Sequence, residues 1–369
     1  MIGLLLLTVL AVAYANGAND NFKAVATIYG SEALGYRGSL ALATAAQLLG
    51  SVACVFVAAR LVRAFGGQGL VPDATVADPV FLVAVGVGAA ATVLSATRLG
   101  LPVSTTHALI GGLVGAGLAA APASIEWSSL TGRFMLPLLI SPLLSVLIAG
   151  GLYPVLSRLR RRLGVDEVTC LCIARTSERV DTAADGTFVL GRTGIALSVE
   201  EVAQCRQRYD GTVLGLSAQT IVDRLHEVSG FALGFARGLN DTPKVLGLLV
   251  AATWSGLDSR VSLAVIAVAM AAGGLLHSRR IAQTMGKRIT EMNRGQGFVA
   301  NAVASILVIW ASLLGTPVST THVSTGAIFG ISLWTGKARG RVVGGILIAW
   351  VVTLPVAAGI GYLTAKGLG

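Results

Sequence analysis

Two short motifs each occur twice in the chain, and both are made of groups that handle ions. The first is Asn19-Asp20-x-x-Lys23, repeated as Asn240-Asp241-x-x-Lys244. An aspartate and a lysine three positions apart share one face of a helix. The Asn and Asp oxygens suit coordination of a hard cation or the capping of a helix break. Each lysine suits either attraction of an anion or the role of a permanent internal cation. The second motif is Pro102-Val-Ser-Thr-Thr-His107, repeated letter for letter from Pro317 to His322. Leu99-Gly100 and Leu314-Gly315 precede it and read as helix stops, so each proline falls in the first turn of a new helix. The start of such a helix presents free N–H groups and the positive end of the dipole, which together favour an anion. Ser104, Thr105, Thr106, Ser319, Thr320 and Thr321 add hydroxyls that can donate to a tetrahedral oxyanion without adding a fixed charge. Hydroxyls can also bond back to helix carbonyls; the repetition favours the binding site.

Each second motif ends in a histidine. His107 and His322 could shuttle a proton or donate to a substrate, and a buried histidine can equally bond a nearby carbonyl. Both readings stand. His226 and His277 have no partner in the repeat and read as surface or loop residues. Gln47 and Asn301 are polar residues in apolar runs, suited either to a transport pathway or to bonds between helices. Arg237 has Asn16 as its counterpart and is expected at a cytoplasmic mouth.

The surrounding chain states where these groups sit. Of 369 residues, 54% are hydrophobic and only 12% are charged, against about 25% charged in a soluble domain. Mean hydropathy is +0.76. Gly38–Ala59, Pro79–Thr97, Phe134–Leu156, Val261–Leu276 and Val342–Thr364 are apolar runs of bilayer scale. They are continuous rather than alternating, so helices are expected and a β-barrel is not. The predicted class is an all-α polytopic membrane protein. Met1–Val12 resembles a signal-peptide core, but no basic stretch precedes it and cleavage is not expected. The ionisable motifs then lie at membrane depth, at a cost on the order of 3 kcal/mol each, which makes such residues rare and usually functional.

Charge divides the chain into three parts: a first membrane repeat, 1–156; a cytoplasmic loop or small helical subdomain, 157–229; and a second membrane repeat, 230–369. The middle part holds ten basic and ten acidic residues, so the net +10 belongs to the membrane parts. Juxtamembrane orientation explains that excess, and no nucleic-acid partner is expected. Arg158–Arg162, the Arg279–Arg294 loop and the Lys337–Arg341 loop are basic and belong inside. The loops carrying Arg63 with Asp73 and Asp78, Glu126 with Arg133, and Asp258 with Arg260 are balanced and belong outside. Both termini are then extracytoplasmic. Asp20 precedes His107 by 87 positions and Asp241 precedes His322 by 81. The two repeats run in opposite directions, with helices broken or re-entrant at Pro102 and Pro317. That is an arrangement of alternating-access carriers, with the site near the midplane. Ser198–Val228 is expected to be helical. Cys170-Leu-Cys172 lacks a second pair at zinc spacing, so no metal site is expected.

At these motifs the sequence resembles the inorganic phosphate transporter family (PiT, or PHO-4). The resemblance covers both membrane parts. It implies secondary transport of inorganic phosphate, with sodium or protons as the coupling ion, through inverted repeats with extracellular termini and a large cytoplasmic loop; the expected location is the plasma (inner) membrane of a prokaryote. It places phosphate contacts on 104–106 and 319–321, and cation sites on Asn19, Asp20, Asn240 and Asp241. The chain departs from the family at one place: the usual Asn-Asp-x-x-Asn here ends in Lys23 and Lys244. An ammonium cannot coordinate sodium, so the two lysines are expected to stand where cations otherwise bind. Coupling would then be to protons, or absent. Sulfate or another oxyanion fits the same donors, and an anion channel or sensor is the more distant alternative. The partners expected are phosphate (or sulfate) and the lipid bilayer, with a homo-oligomer left open. No cofactor is expected. No enzymatic role is expected either, since no Gly-x-x-x-x-Gly-Lys-Ser/Thr loop is present.

Overall fold

Apolar periodicity and caps together set eleven of the described helices in the computed structural model. It describes all residues except 57–58, 166–168, 177–180, 183–187, 190–193, 202–215 and 253–257, and the side chains of 170–218 and of Ser259. The helices are α1 (Ile2–Asp20), α2 (Ala26–Gly30), α3 (Tyr36–Ala53), α4 (Pro79–Leu99), α5 (Thr105–Ala120), α6 (Leu136–Arg162), α7 (Ala218–Ala251), α8 (Ser259–His277), α9 (Arg294–Leu313), α10 (Thr320–Thr335) and α11 (Gly340–Leu368). Asp78 opens α4 by accepting from the Val80 amide at 2.8 Å, with Pro79 at the first helical position. Asn293 and Gln296 form a reciprocal capping box at the start of α9.

Among the described residues, seven helical segments are long and apolar enough to cross a membrane. Large apolar side chains on α6 and α11 point outward: Leu143 is 62% exposed and Val351 75%. A lipid face accounts for them, since water would not. Helices α5 and α10 have 16 residues each. At 1.5 Å per residue that is about 24 Å, short of a hydrocarbon core of about 30 Å. Each is therefore too short to span the core alone, and each begins just after the prolines at 102 and 317. Ahead of them, Gly100 and Gly315 adopt positive φ of 72° and 68°, which glycine reaches without strain.

Small residues set the packing. A Cβ on Gly17 would lie 1.8 Å from the Met270 carbonyl oxygen, and one on Gly273 would lie 2.0 Å from that of Tyr14. Helices α1 and α8 touch backbone to backbone there, which only glycine allows. This brings the first Asn-Asp motif, two residues beyond Gly17, into the centre of the bundle.

The two Asn-Asp motifs differ locally. After Asp20 the helix tightens into a 3₁₀ turn, Asn21–Val25, before α2. The second motif lies inside the unbroken α7, with Pro243 in its interior. Packing holds that helix through a residue that cannot donate its backbone bond.

Contacts divide the chain into two units, one of 1–153 with 226–369 and one of 154–225. The second carries strands: β1 (Thr169–Thr176), β2 (Asp181–Thr182), β3 (Phe188–Val189), β4 (Gly194–Glu201) and β5 (Leu216–Ser217), with sheet order β4-β1-β5 and β1 antiparallel to both neighbours. This corrects the start of the helical stretch expected over Ser198–Val228, while its end, from Ala218, is helix. Residues 198–201 belong to β4 and 216–217 to β5, and 202–215 lie outside the described residues. Ile195, Leu197 and Val199 alternate with smaller or polar residues, a strand's period of two that a reading for helix passes over. Cys205, Gly186 and Gly191 lie outside the described residues, and no side chain is described for Cys170 or Cys172.

Candidate functional site

The four motifs meet in the core of the larger unit. Helix α1 delivers Asn19 and Asp20, the 3₁₀ turn delivers Lys23, and α7 delivers Asn240, Asp241 and Lys244. Lys23 Nζ donates to Asn19 Oδ1 (2.8 Å), to the Val103 carbonyl (2.7 Å) and to Thr321 Oγ1 (2.7 Å), and it pairs closely with Asp20. Lys244 Nζ donates to the Val318 carbonyl (2.7 Å) and Thr106 Oγ1 (2.8 Å), and lies 3.2 Å from Asp241 Oδ1. The two cages match by exchange. Each ammonium binds a carbonyl from its own half and a threonine hydroxyl from the other half.

The Ser-Thr-Thr triplets divide their work position by position. Ser104 and Ser319 accept from the His107 and His322 amides at 3.2 Å, so they are the N-caps of α5 and α10. Thr105 donates to Asp20 Oδ2 (2.9 Å) and Thr320 to Asp241 Oδ2 (3.2 Å). Thr106 and Thr321 donate across the halves, to the Val318 (3.3 Å) and Val103 (3.0 Å) carbonyls. Asn19 Oδ1 also accepts from the Val103 amide (3.1 Å), and its Nδ2 donates to Thr97 (2.8 Å) and to the Leu101 carbonyl (3.0 Å). Asn240 donates to Asp241 (3.0 Å) and to the Val318 carbonyl (3.3 Å). Each asparagine therefore fastens the stretch ahead of a short helix to an aspartate motif.

Arg237 is placed otherwise than its sequence position suggested. It does not mark a mouth but is 1% exposed, among the largest fully buried side chains. Its guanidinium donates to Asn16 Oδ1 (3.0 Å) and Asn21 Oδ1 (3.3 Å), and Nε lies 3.4 Å from Asp241 Oδ2. Asn16 in turn donates to Asp20 at 2.9 Å. Both residues precede their aspartate by four positions, one helical turn, and that spacing is the signal a reading by charge alone missed. Among the described residues the buried formal charges are Lys23, Arg237 and Lys244 against Asp20 and Asp241. The cluster therefore carries net +1 in a medium where an unbalanced charge is expensive.

The histidines face each other. The His107 and His322 rings lie 4.4 Å apart, and His322 stacks on Trp350 at 3.8 Å. Trp350 donates to the Pro102 carbonyl (3.2 Å), so α11 joins the stretch ahead of α5 to the first turn of α10. His107 Nδ1 and His322 Nε2 have no hydrogen-bond partner among the described residues. Gln47 Nε2 donates to Ser51 (2.7 Å), which bonds Thr242 beside Asp241 (2.6 Å). Asn301 Oδ1 accepts from Thr27 (3.1 Å), one turn beyond Lys23. Asn301 thus links helices next to the cluster, whereas the Gln47 bond stays within α3 and Ser51 makes the link to α7. His277 is exposed, as expected, against Tyr14. His226 is not a surface residue: it is buried within α7 and bonds Thr27 at 2.9 Å. The hydrophilic residues around it hid the point at which α7 enters the core.

The chain is similar to several known proteins. The model of the phosphate transporter family matches residues 16–361. A Pyrococcus furiosus protein named as a phosphate permease is 28% identical, over 99% of this chain and 96% of its own length. A Mycobacterium tuberculosis protein named as a low-affinity inorganic phosphate transporter is 29% identical, over 98% of this chain and 76% of its own. A solved structure titled a sodium-dependent phosphate transporter superposes with a TM-score of 0.76 at 18% identity, over 100% of this chain and 98% of that one, and so shares the fold. With both repeated motifs inside the matched span, the chain belongs to the phosphate transporter family.

Proposed function

We propose that this chain moves inorganic phosphate by alternating access between two inverted repeats, with Lys23 and Lys244 as built-in cations in place of coupling sodium ions. The observation that carries this reading is the pair of oxygen cages. An amide oxygen, a carboxylate, a backbone carbonyl and a hydroxyl surround Lys23 Nζ at hydrogen-bond range. A hard cation uses the same oxygen types. A similar set surrounds Lys244, drawn again from both halves. An ammonium on a tether delivers the positive charge without an ion having to bind or leave.

The five-charge cluster, net +1, supplies the pull on an anion. Phosphate arriving at the starts of α5 and α10 would accept from Thr106, Thr321 and the two ammonium groups. Those donors are now directed at the Val103 and Val318 carbonyls and at each other. Because each cage contains a threonine from the opposite repeat, separating the repeats would open both cages together. This is the linkage alternating access requires. A proton on phosphate or on a buried carboxylate is the remaining coupling ion. The sodium dependence named for the structural neighbour belongs to that protein.

Phosphate uptake into proteoliposomes under imposed sodium or proton gradients tests the reading. Uptake that persists without sodium is expected. Strong sodium dependence at constant pH would overturn the built-in-cation mechanism. Displacement by equimolar sulfate would move the cargo from phosphate to oxyanions at large.

A further inference from the structure

Away from the cluster, a cavity of about 520 Å³ is lined by Arg60, Arg63, Arg133, Gln68 and Gly315, among others. Its three guanidinium groups have no carboxylate partner among the described residues. Arg60 donates to the Leu314 carbonyl (3.5 Å) and Arg133 to that of Gln68 (3.3 Å). Arg63 and Arg133 lie in helical segments that the charge pattern assigns to the outside, so the rule that gathers arginine on the inner face does not account for them. A concave surface carrying one sign of charge concentrates the opposite ion. Guanidinium groups match phosphate oxygens two at a time.

The cavity sits against the transport machinery. Its wall includes Gly315, which precedes α10, and a Cβ there would meet Arg60 Cβ at 2.7 Å. The arrangement recurs in the first half, where Arg280 packs on Gly100 and donates to the Arg98 carbonyl. An arginine therefore covers the glycine ahead of each short helix. Next in sequence to the lining Ala64 and Arg133 are Phe65 and Phe134, both buried, with rings edge to face at 5.7 Å. Lys244 Nζ lies 5.7 Å from the centre of the Phe65 ring. Phe65 is thus adjacent in sequence to the cavity wall and adjacent in space to the second cage.

We propose that this cavity is an outer phosphate-binding subsite, in which Arg60, Arg63 and Arg133 collect the anion before the Phe65–Phe134 pair admits it to the Lys244 cage. The reading rests on the transport function above. The chemistry recognised is a phosphate oxyanion, which free phosphate and a lipid headgroup share, and the binding test separates the two.

A cysteine in place of Gln68, on the cavity wall, serves as reporter. Its labelling by an anionic methanethiosulfonate reagent is measured on the purified full chain in detergent, as the increment over the parent chain. Inorganic phosphate should slow labelling at least about fivefold relative to chloride of equal ionic strength. The protection should vanish in the triple variant Arg60→Gln, Arg63→Gln, Arg133→Gln. Equal labelling in phosphate and chloride overturns the subsite, as does protection that survives in the triple variant. Protection by added anionic phospholipid but not by free phosphate assigns the cavity to a headgroup and overturns it too. In vesicles the triple variant should raise KM for phosphate by about tenfold with maximal rate held within about twofold. Restoring the three charges as lysines should recover part of that loss. Uptake with an unchanged KM in the triple variant removes the subsite and leaves the transport function standing. Protected labelling in a chain that moves no phosphate does the reverse.

Discussion

Lys23 is held by Asp20, Asn19, Val103 and Thr321. Removing one partner of a buried ion pair leaves the other uncompensated, at a cost of about 3–5 kcal/mol. Lys23→Met is therefore expected to lower thermal stability in detergent sharply, and adding Asp20→Asn should recover a large part of the loss. A double variant no more stable than Lys23→Met would show that the pair is not the determinant. Changing Lys23 and Lys244 together to Asn returns the usual family motif and empties both cages. That variant should acquire sodium-stimulated phosphate uptake, read as initial rate against sodium at fixed pH; a rate indifferent to sodium would count against the cages being cation sites. Arg237 supplies the unbalanced charge, buried against Asn16, Asn21 and Asp241. Arg237→Gln should raise KM for phosphate by about tenfold or more, in line with the few kcal/mol tied to a buried charge. An unchanged KM in a folded variant would make Arg237 a packing residue.

At the scale of elements, the glycines and the caps decide whether the motifs can meet. Gly17 has the Met270 carbonyl where a side chain would begin, whereas Gly3 has nothing within 4 Å. Gly17→Ala should abolish monodisperse protein or lower its melting temperature by many degrees, while Gly3→Ala should leave both unchanged. Comparable behaviour of the two variants would refute the close contact of α1 with α8. Ser104 and Ser319 hold the first turns of α5 and α10 in the same way, so either change to Ala is expected to cost about 1 kcal/mol. This separates the triplets by role, a serine for the helix start and two threonines for the ions. The motif's composition already contained that division, but only the backbone trace shows which hydroxyl turns back on its own helix.

Across the whole molecule, the reading of inverted repeats requires each cage to be built from both halves, as the Lys23–Thr321 and Lys244–Thr106 bonds are. It also requires both termini on one face and Arg158–Arg162 on the other. Single cysteines near residue 3, near residue 367 and at residue 158, tested with an impermeant thiol reagent on intact cells, check this directly. The two terminal sites should be labelled and the central one protected. Termini labelled on opposite faces would exclude the arrangement.

The sequence by itself determined the solvent, the repeat and the polar groups that the core contains. Composition demands a bilayer, identical motifs at matching separations demand two copies, and the hydroxyl, carboxylate and ammonium groups are visible as letters. It also located the starts of the short helices, because Pro, Gly and Ser act through local backbone geometry. Tertiary structure alone decided which groups meet. Asp20 and Thr321 are 301 positions apart, and nothing local states that a threonine of one half completes the cage of the other. The same holds for Trp350, an apolar-helix residue until it stacks on His322, and for Arg237, whose charge pointed to a surface while its helix carried it into the core. Those outcomes depend on close contacts between distant backbones, which glycine permits but does not specify. The short apolar alternation of β4 was outweighed in the reading by the helical character of its surroundings.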